Sequence, residues 1–365
     1  MVTMMDLEQL RTSLSDVDRK LIELVAERQR IVSDIGQNKR STGRATRDYV
    51  REKDVLDRAR SQASSLDVDP GLAEEILRSL IRSSLEHQER DRVAAEGKGD
   101  GRRVLVIGGA GKMGGWFTDF FRSQGFTTHI ADPGVNNGDG EFSDWCDAGT
   151  DYEVIVVAAP LAESGRILEQ LAAAQPSGLV FDIGSLKTPL RHGLNALAQA
   201  GCNVASLHPM YGPDTRLLSG RHLIFVDAGS AGATAAAKEL FASTMVEQLD
   251  MGLDDHDRLI AYVLGLSHAL NIAFFTALAE SGEAAPKLAR LSSTTFDAQL
   301  LVSAAVAQDN PNLYFEIQNL NEFGLEPLEA LYEAAGRIRK LVARGDQEGF
   351  VQLMENGREY LKLRE

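Results

Sequence analysis

The chain has 365 residues, of which 44% are hydrophobic and 25% charged, enough for two or three domains that each bury a core. Its formal charge of −15 excludes a nucleic-acid binder built on a basic face. With no stretch of about 18 unbroken apolar residues, and no apolar signal core in MVTMMDLEQLR, a cytoplasmic protein outside the membrane is expected.

From Leu7 the apolar positions run Leu7, Leu10, Leu14, Val17, Leu21, Leu24, Ile31 and Ile35, the alternating threes and fours of one helix face. Arg28 interrupts that stripe. The polar stretch NKRSTGRATR ends this helix, and a second is predicted from about Asp48 to Ser64. Asp69-Pro70 reads as an N-cap with proline in the first turn of a third helix, with Leu72, Ile76, Leu77, Leu80 and Ile81 inward and Ser84 and Gln88 closing the stripe. Three such helices make a thin core for one chain, so pairing with a second copy is expected. Residues 1–100 are nearly balanced, 18 basic against 20 acidic, and the remainder carries 20 against 33; the front segment is able to hold an anion despite the acidic total.

The charged, glycine-bearing stretch RDRVAAEGKGDGRR (90–103) suits a linker. Beyond it, strands are predicted at 103–107, 127–131, 153–158, 178–182, 203–207, 222–227 and 246–250 with helices between most of them, the rhythm of a mostly parallel, doubly wound sheet. From Asp254 onward only helices are predicted. Cys146 and Cys202 lack CxxC spacing and read as small buried hydrophobes, and no residue spacing suggests a metal site.

Gly109-Ala-Gly111-Lys-Met-Gly114 follows the apolar strand VLVI directly, and the next strand, FTTHIAD, ends in Asp132 eighteen residues past Gly114. Glycines there allow a tight turn and close approach of backbone N–H groups to a pyrophosphate, and the acid would bond the ribose hydroxyls while repelling a 2′-phosphate. Gly109, Gly111, Lys112, Met113, Gly114 and Asp132 are therefore candidates for binding NAD in preference to NADP. The bland alternative is a doubly wound domain that keeps this shape without the ligand.

In the front segment Lys39 lies eleven residues, about three helical turns, beyond Arg28 and shares its face. Asp48, Arg51 and Glu52 line one side of the second helix, Ser84 and Gln88 one side of the third. A cation in an apolar seam needs an anion. Either an internal acid such as Glu52 supplies it and fixes helix register, or a ligand does.

The order Arg11, Arg28, Lys39, Asp48, Arg51, Glu52, Ser84, Gln88, with the strings LEQLRTSLSDVDRKLIELVAERQ and RDYVREKDVL, resembles the all-helical chorismate mutases over about the first 90 residues. The resemblance implies an intertwined dimer in which Arg11 comes from the partner chain. It implies that Arg11, Arg28 and Arg51 hold carboxylates, Lys39 and Gln88 donate to the ether oxygen, and Glu52 and Asp48 meet the ring hydroxyl region. VVAAPLAES, DIGSLKTPL, SLHPMYGPD and HDRLIAYVLGLSHAL resemble the prephenate dehydrogenases over residues 102–365. That resemblance places Ser185, Lys187 and His208 toward substrate and nicotinamide, with His208 as the base, adds His268 and Asp214 as pocket residues, and leaves His256 to cap or orient a helix. The implied architecture is an all-α mutase domain (1–92), a linker (93–101), a doubly wound Rossmann NAD domain (102–253) and an all-α substrate and dimerisation domain (254–365). The implied activity is chorismate rearrangement followed by NAD-dependent oxidative decarboxylation of prephenate, on the route to tyrosine, in a homodimer whose partners are small molecules rather than nucleic acid or membrane.

One departure stands out. The dehydrogenases carry a carboxylate-gripping arginine shortly after the turn matched by Ser292-Ser293, and here that position is Ala305; no arginine or lysine occurs between Arg290 and Arg337. Arg216 or Arg290 is expected to substitute. Alternatively, the pocket suits 4-amino-4-deoxyprephenate, made from the corresponding amino-deoxy chorismate. A rival of another class is a sensor that binds NAD and a ring dianion without turnover.

Overall fold

The structure, a computed structural model, describes residues 6–363. Three helices come first: α1 (Leu7–Ser41), α2 (Tyr49–Ser65) and α3 (Pro70–Glu96). Each starts on an aspartate whose carboxylate accepts from the first-turn backbone: Asp6 from Gln9 N–H, Asp48 from Arg51 N–H, Asp69 from Gly71 and Leu72 N–H. The apolar stripe of α1 packs against α3 only in part. Leu7, Leu10, Leu14, Val17 and Leu21 remain 51–62% exposed in the single chain.

Next comes the sheet region: β1 (Arg103–Ile107), α4 (Lys112–Ser123), β2 (Thr127–Ala131), β3 (Glu141–Phe142), α5 (Trp145–Ala148), β4 (Val154–Val157), α6 (Leu161–Ala174), β5 (Leu179–Asp182), α7 (Arg191–Gln199), β6 (Asn203–Pro209), β7 (His222–Val226), α8 (Ala231–Glu239) and β8 (Glu247–Met251). The eight strands lie in the order β3-β2-β1-β4-β5-β6-β7-β8, parallel except for the β6–β7 pair. The seven predicted strands all appear; the two-residue β3 was not predicted, being too short to carry a periodic signal. The chain steps outward from β1 in one direction and from β4 in the other, so the crevice between them opens at the carboxyl ends of the strands, where ligands bind in such sheets. Val104, Leu105, Val106, Ile155 and Val156 are fully buried, as expected of strands covered on both faces.

The remaining chain is helical: α9 (Leu253–Ile260), α10 (Ser267–Glu280), α11 (Ala285–Arg290), α12 (Thr294–Gln308), α13 (Pro311–Asn319), α14 (Leu325–Arg344) and α15 (Gln347–Lys362). A π-helical turn, Ala261–Leu266, joins α9 to α10 without a break. The resulting helix, Leu253–Glu280, is long and apolar enough by length and composition to cross a membrane, although Ser267, His268 and Asn271 break its apolar run.

The predicted linker is corrected. α3 runs to Glu96, and its Val93 is buried in the core of the sheet region. Gly99 N–H and Gly101 N–H then bond the carbonyls of Gln124 and Gly125 after α4, so no slack segment separates the front helices from the sheet. Glu89 of α3 is buried, and its carboxylate accepts from Leu218 and Met245 N–H, a clamp between the two units. The cysteines are both free; Cys202 is buried as expected, but Cys146 is exposed on α5.

Candidate active sites

A cavity of about 490 Å³ lies among α1, α2 and α3, lined by Arg28, Lys39, Asp48, Arg51, Glu52, Ser84 and Gln88 together with apolar side chains such as Ile31, Val32 and Leu85. Seven of the eight nominated front residues therefore meet in one place. Arg28 donates to the Ser84 hydroxyl and to the Leu80 carbonyl, while Ser84 donates to that same carbonyl. Burial lowers the Arg28 pKa, and no acid within the chain pairs with it among the described residues. The internal-acid alternative thus fails for Arg28. Gln88 is buried and its Oε1 has no partner.

Glu52, expected at the ring hydroxyl, is gripped by Arg47: Nε to Oε1 at 3.0 Å and Nη2 to Oε2 at 2.9 Å. Arg47 also reaches Ser219 of the sheet region at 2.9 Å, a contact that spacing could not reveal. The Asp48 carboxylate caps α2 while still lining the cavity, and the Lys39 ammonium rests on the Thr46 carbonyl at 2.6 Å. Arg11 lies outside this cavity, exposed and paired with Glu8.

The glycine-rich turn sits at the carboxyl end of β1. Gly108 has φ +86°, and a Cβ there would strike the Ala158 backbone; a Cβ on Gly114 would strike the Gly108 carbonyl, so α4 packs directly on the turn. Asp132, one residue beyond β2, accepts from Ala110 N–H at 3.2 Å and Gly134 N–H at 2.8 Å, which fixes the acid beside the loop. The free N–H groups at the start of α4 and this carboxylate fit a dinucleotide's pyrophosphate and ribose. Met113 is half-buried, with its side chain packed against the core. Lys112 lines a cleft of about 830 Å³ between α3 and α4 with Gly111, Arg90, Trp116, Asp214 and Arg216. Trp116 Nε1 donates to the Thr215 carbonyl at 3.0 Å and holds that loop over α4.

His208, near the end of β6, is 3% exposed. Its Nδ1 lies 2.8 Å from His256 Nε2, and His256 Nδ1 lies 2.6 Å from Asp257 Oδ1. Burial, with the nearby Lys187 ammonium, pushes the His208 pKa well below the usual imidazole value. His256 was expected merely to cap or orient a helix; it is wholly buried against His208. Lys187 is also corrected. Its ammonium is fully buried, donating to Asp182 Oδ1 at 2.6 Å and the Leu207 carbonyl at 2.7 Å, so it props the ends of β5 and β6 and does not face a substrate. Lys187→Ala should cost about 3 to 5 kcal/mol in urea unfolding, because it strands Asp182 as a buried charge; an unchanged midpoint would restore the substrate-facing role.

Ser185 is half-buried in the turn after β5, and its hydroxyl has no hydrogen-bond partner among the described residues. The His268 ring lies tilted by 32° against Tyr314 with the centroids 4.1 Å apart, and its Nδ1 is buried without a partner among the described residues. Arg290 ends α11 exposed, and Ala305 is exposed on α12.

The family model for chorismate mutase type II matches residues 10–89, that for the nucleotide-binding domain of prephenate dehydrogenase residues 135–247, and that for its dimerization domain residues 253–356. The chain is 27% identical to a T-protein of Enterobacter agglomerans over 350 residues, covering 95% of this chain and 90% of the relative. It is 28% identical to a 4-amino-4-deoxyprephenate dehydrogenase of Streptomyces pristinaespiralis over 263 residues, 69% of this chain and 88% of the relative. The structure of prephenate dehydrogenase from A. aeolicus in complex with hydroxyphenyl propionate and NAD+ superposes with a TM-score of 0.58 at 17% identity, covering 72% of this chain and 98% of that one; the likeness is one of fold.

Proposed function

This chain belongs to the fused chorismate mutase and prephenate dehydrogenase family, and we infer that it rearranges chorismate to prephenate in the helical cavity and oxidatively decarboxylates prephenate beside the glycine-rich turn. The observation that carries the reading is Arg28, a cation in an apolar seam with no acid among the described residues to neutralise it.

The rearrangement is pericyclic, with no nucleophile and no proton transfer, so binding a compact dianion and stabilising charge on the ether oxygen must supply the rate. Arg28 and Arg51 hold carboxylates. Lys39 donates to the ether oxygen, and the Gln88 amide, which lines the cavity, presents its N–H₂ to the same atom. Ser84 holds Arg28 in place, and Asp48 lines the hydroxyl end. The exposed stripe of α1 meets a second copy in this reading, which brings Arg11 of the other protomer to the cavity. Hybrids of Arg11→Ala and Arg28→Ala chains test this: one of their two cavities regains both arginines and should work, whereas inactive hybrids would place Arg11 elsewhere.

In the second site NAD, when bound on Gly109, Gly111, Gly114 and the start of α4 with Asp132 at the ribose, supplies the hydride acceptor. Buried and neutral, His208 takes the proton of the ring hydroxyl on Nε2 while hydride leaves the same carbon. The bond to the ring carboxylate then breaks, its electron pair moves through the ring to the C4 oxygen, and the His208 cation returns the proton there, releasing carbon dioxide and aromatic 4-hydroxyphenylpyruvate. Ser185 and His268 line the substrate side, and Asp214 and Arg216 sit in the loop beyond β6. The exposed apolar residues of α10 and α12, among them Leu270, Leu301 and Val302, meet a second copy rather than lipid, which suits a cytoplasmic homodimer.

A second reading is favoured by the absence of any lysine or arginine from 291 to 336 and by the likeness to the Streptomyces relative: the oxidised ring carries a 4-amino group. Steady-state rates with prephenate and 4-amino-4-deoxyprephenate decide. Comparable or better efficiency with prephenate supports the first reading, and a strong preference for the amine overturns it.

A further inference from the structure

His208 is a useful base only if the nitrogen that meets the substrate carries no proton, and three buried groups behind it bear on that. Asp257 accepts from Lys187 N–H at 2.9 and 3.0 Å, from Thr188 N–H at 2.5 Å and from the Thr188 hydroxyl at 2.6 Å. Desolvation opposes its ionisation, but these donors and His256 outweigh it and lower the Asp257 pKa. An ionised carboxylate has no proton to give, so the proton in the 2.6 Å contact belongs to His256 Nδ1. Burial lowers the His256 pKa as well, which leaves a neutral ring with a lone pair on Nε2. That lone pair faces His208 Nδ1 at 2.8 Å, so the His208 proton must sit on Nδ1.

We propose that His256 and Asp257 are positioning residues for the dehydrogenase reaction, holding His208 in the tautomer whose Nε2 is bare. The pair also answers the charge that forms. When His208 takes the substrate proton it becomes a cation, and His256 Nε2 accepts from its Nδ1–H while Asp257 stays anionic behind it. The other charges around the cluster are the Lys187–Asp182 pair and, toward the rim, Arg191 with Asp254 and Glu322. The Lys187 ammonium opposes the new cation and is itself matched by Asp182. Asn321 Nδ2 donates to the Asp257 carbonyl at 2.8 Å, fixing the helix that carries both residues.

The inference rests on His208 being the base, and the test separates the two. In the full chain labelled with ¹⁵N-histidine at neutral pH, the His208 signals, identified by their loss in His208→Asn, should show Nδ1 protonated and Nε2 bare. A protonated Nε2 overturns the proposal, and this reading needs no variant at position 256. In kinetics, His256→Phe should lower dehydrogenase turnover about a hundredfold with little change in KM. Its acid limb should move to lower pH, because the His208 cation has lost its acceptor. Mutase activity in the same sample reports an intact fold. His256→Gln, whose amide oxygen can accept from His208, should recover part of the loss. Full turnover in His256→Phe, or an equal loss in both variants with an unmoved limb, contradicts the proposal; if His256→Phe loses mutase activity as well, the tautomer spectrum decides. Should His208→Asn retain turnover, the base assignment fails even where the spectrum shows the expected tautomer.

Discussion

Replacing His208 with asparagine lowers prephenate oxidation by about 10²- to 10⁴-fold, the range expected for loss of a positioned base, and leaves chorismate consumption unchanged. Asparagine keeps a donor toward His256 Nε2 but has no basic nitrogen, so the loss belongs to proton removal rather than to packing. The wild-type pH profile carries the same signature. With its pKa depressed by burial and by the nearby Lys187 ammonium, His208 stays a neutral imidazole through neutral pH. Turnover should hold as pH falls through the ordinary imidazole range and decline only in more acidic solution. A limb at or above the usual histidine value would contradict the burial-based account. NADH absorbance at saturating prephenate, measured between pH 5 and 8, provides both readings.

Arg28→Ala has the second large effect, on the other reaction. One charge-assisted contact to a carboxylate is worth about 1.5 to 3 kcal/mol, so mutase efficiency should fall at least about tenfold and up to about 200-fold, while the dehydrogenase is unaffected. Stability should move the other way. Among the described residues Arg28 is a partly buried cation answered by a hydroxyl and a carbonyl and by no acid, so its removal relieves a desolvated charge and Tm should hold or rise. A residue tied into a structural network would do the reverse, losing stability with activity. Arg28→Lys should not rescue, because an ammonium cannot make the paired contacts of a guanidinium.

The features legible in the sequence were those set by local period or by a short turn. Arg28 and Lys39 line one cavity because eleven residues make about three helical turns. Strands such as VLVI were readable as short apolar runs bounded by glycine, and Asp132 stands beside the loop because the β2 register puts it there. What escaped was long-range partnership. His256 meets His208 across 48 residues and two elements, and nothing near His256 in the sequence signals a buried imidazole. A lysine in a turn reads as a surface group; Lys187 is buried because Asp182 at the end of β5 faces it. Local spacing carries no sign of what Arg47 and Glu89 do, and their roles appear only when the sheet region supplies Ser219, Leu218 and Met245. The charge pattern after α3 suggested a linker because glycines and charges also mark a chain that is pinned by its backbone.

That one chain carries both reactions is tested most directly by adding chorismate and NAD together and following NADH with the aromatic product. The two sites predict that NADH and 4-hydroxyphenylpyruvate appear together after a lag while prephenate forms. Tight binding of NAD and prephenate with no NADH formed would contradict the account and make the chain a sensor.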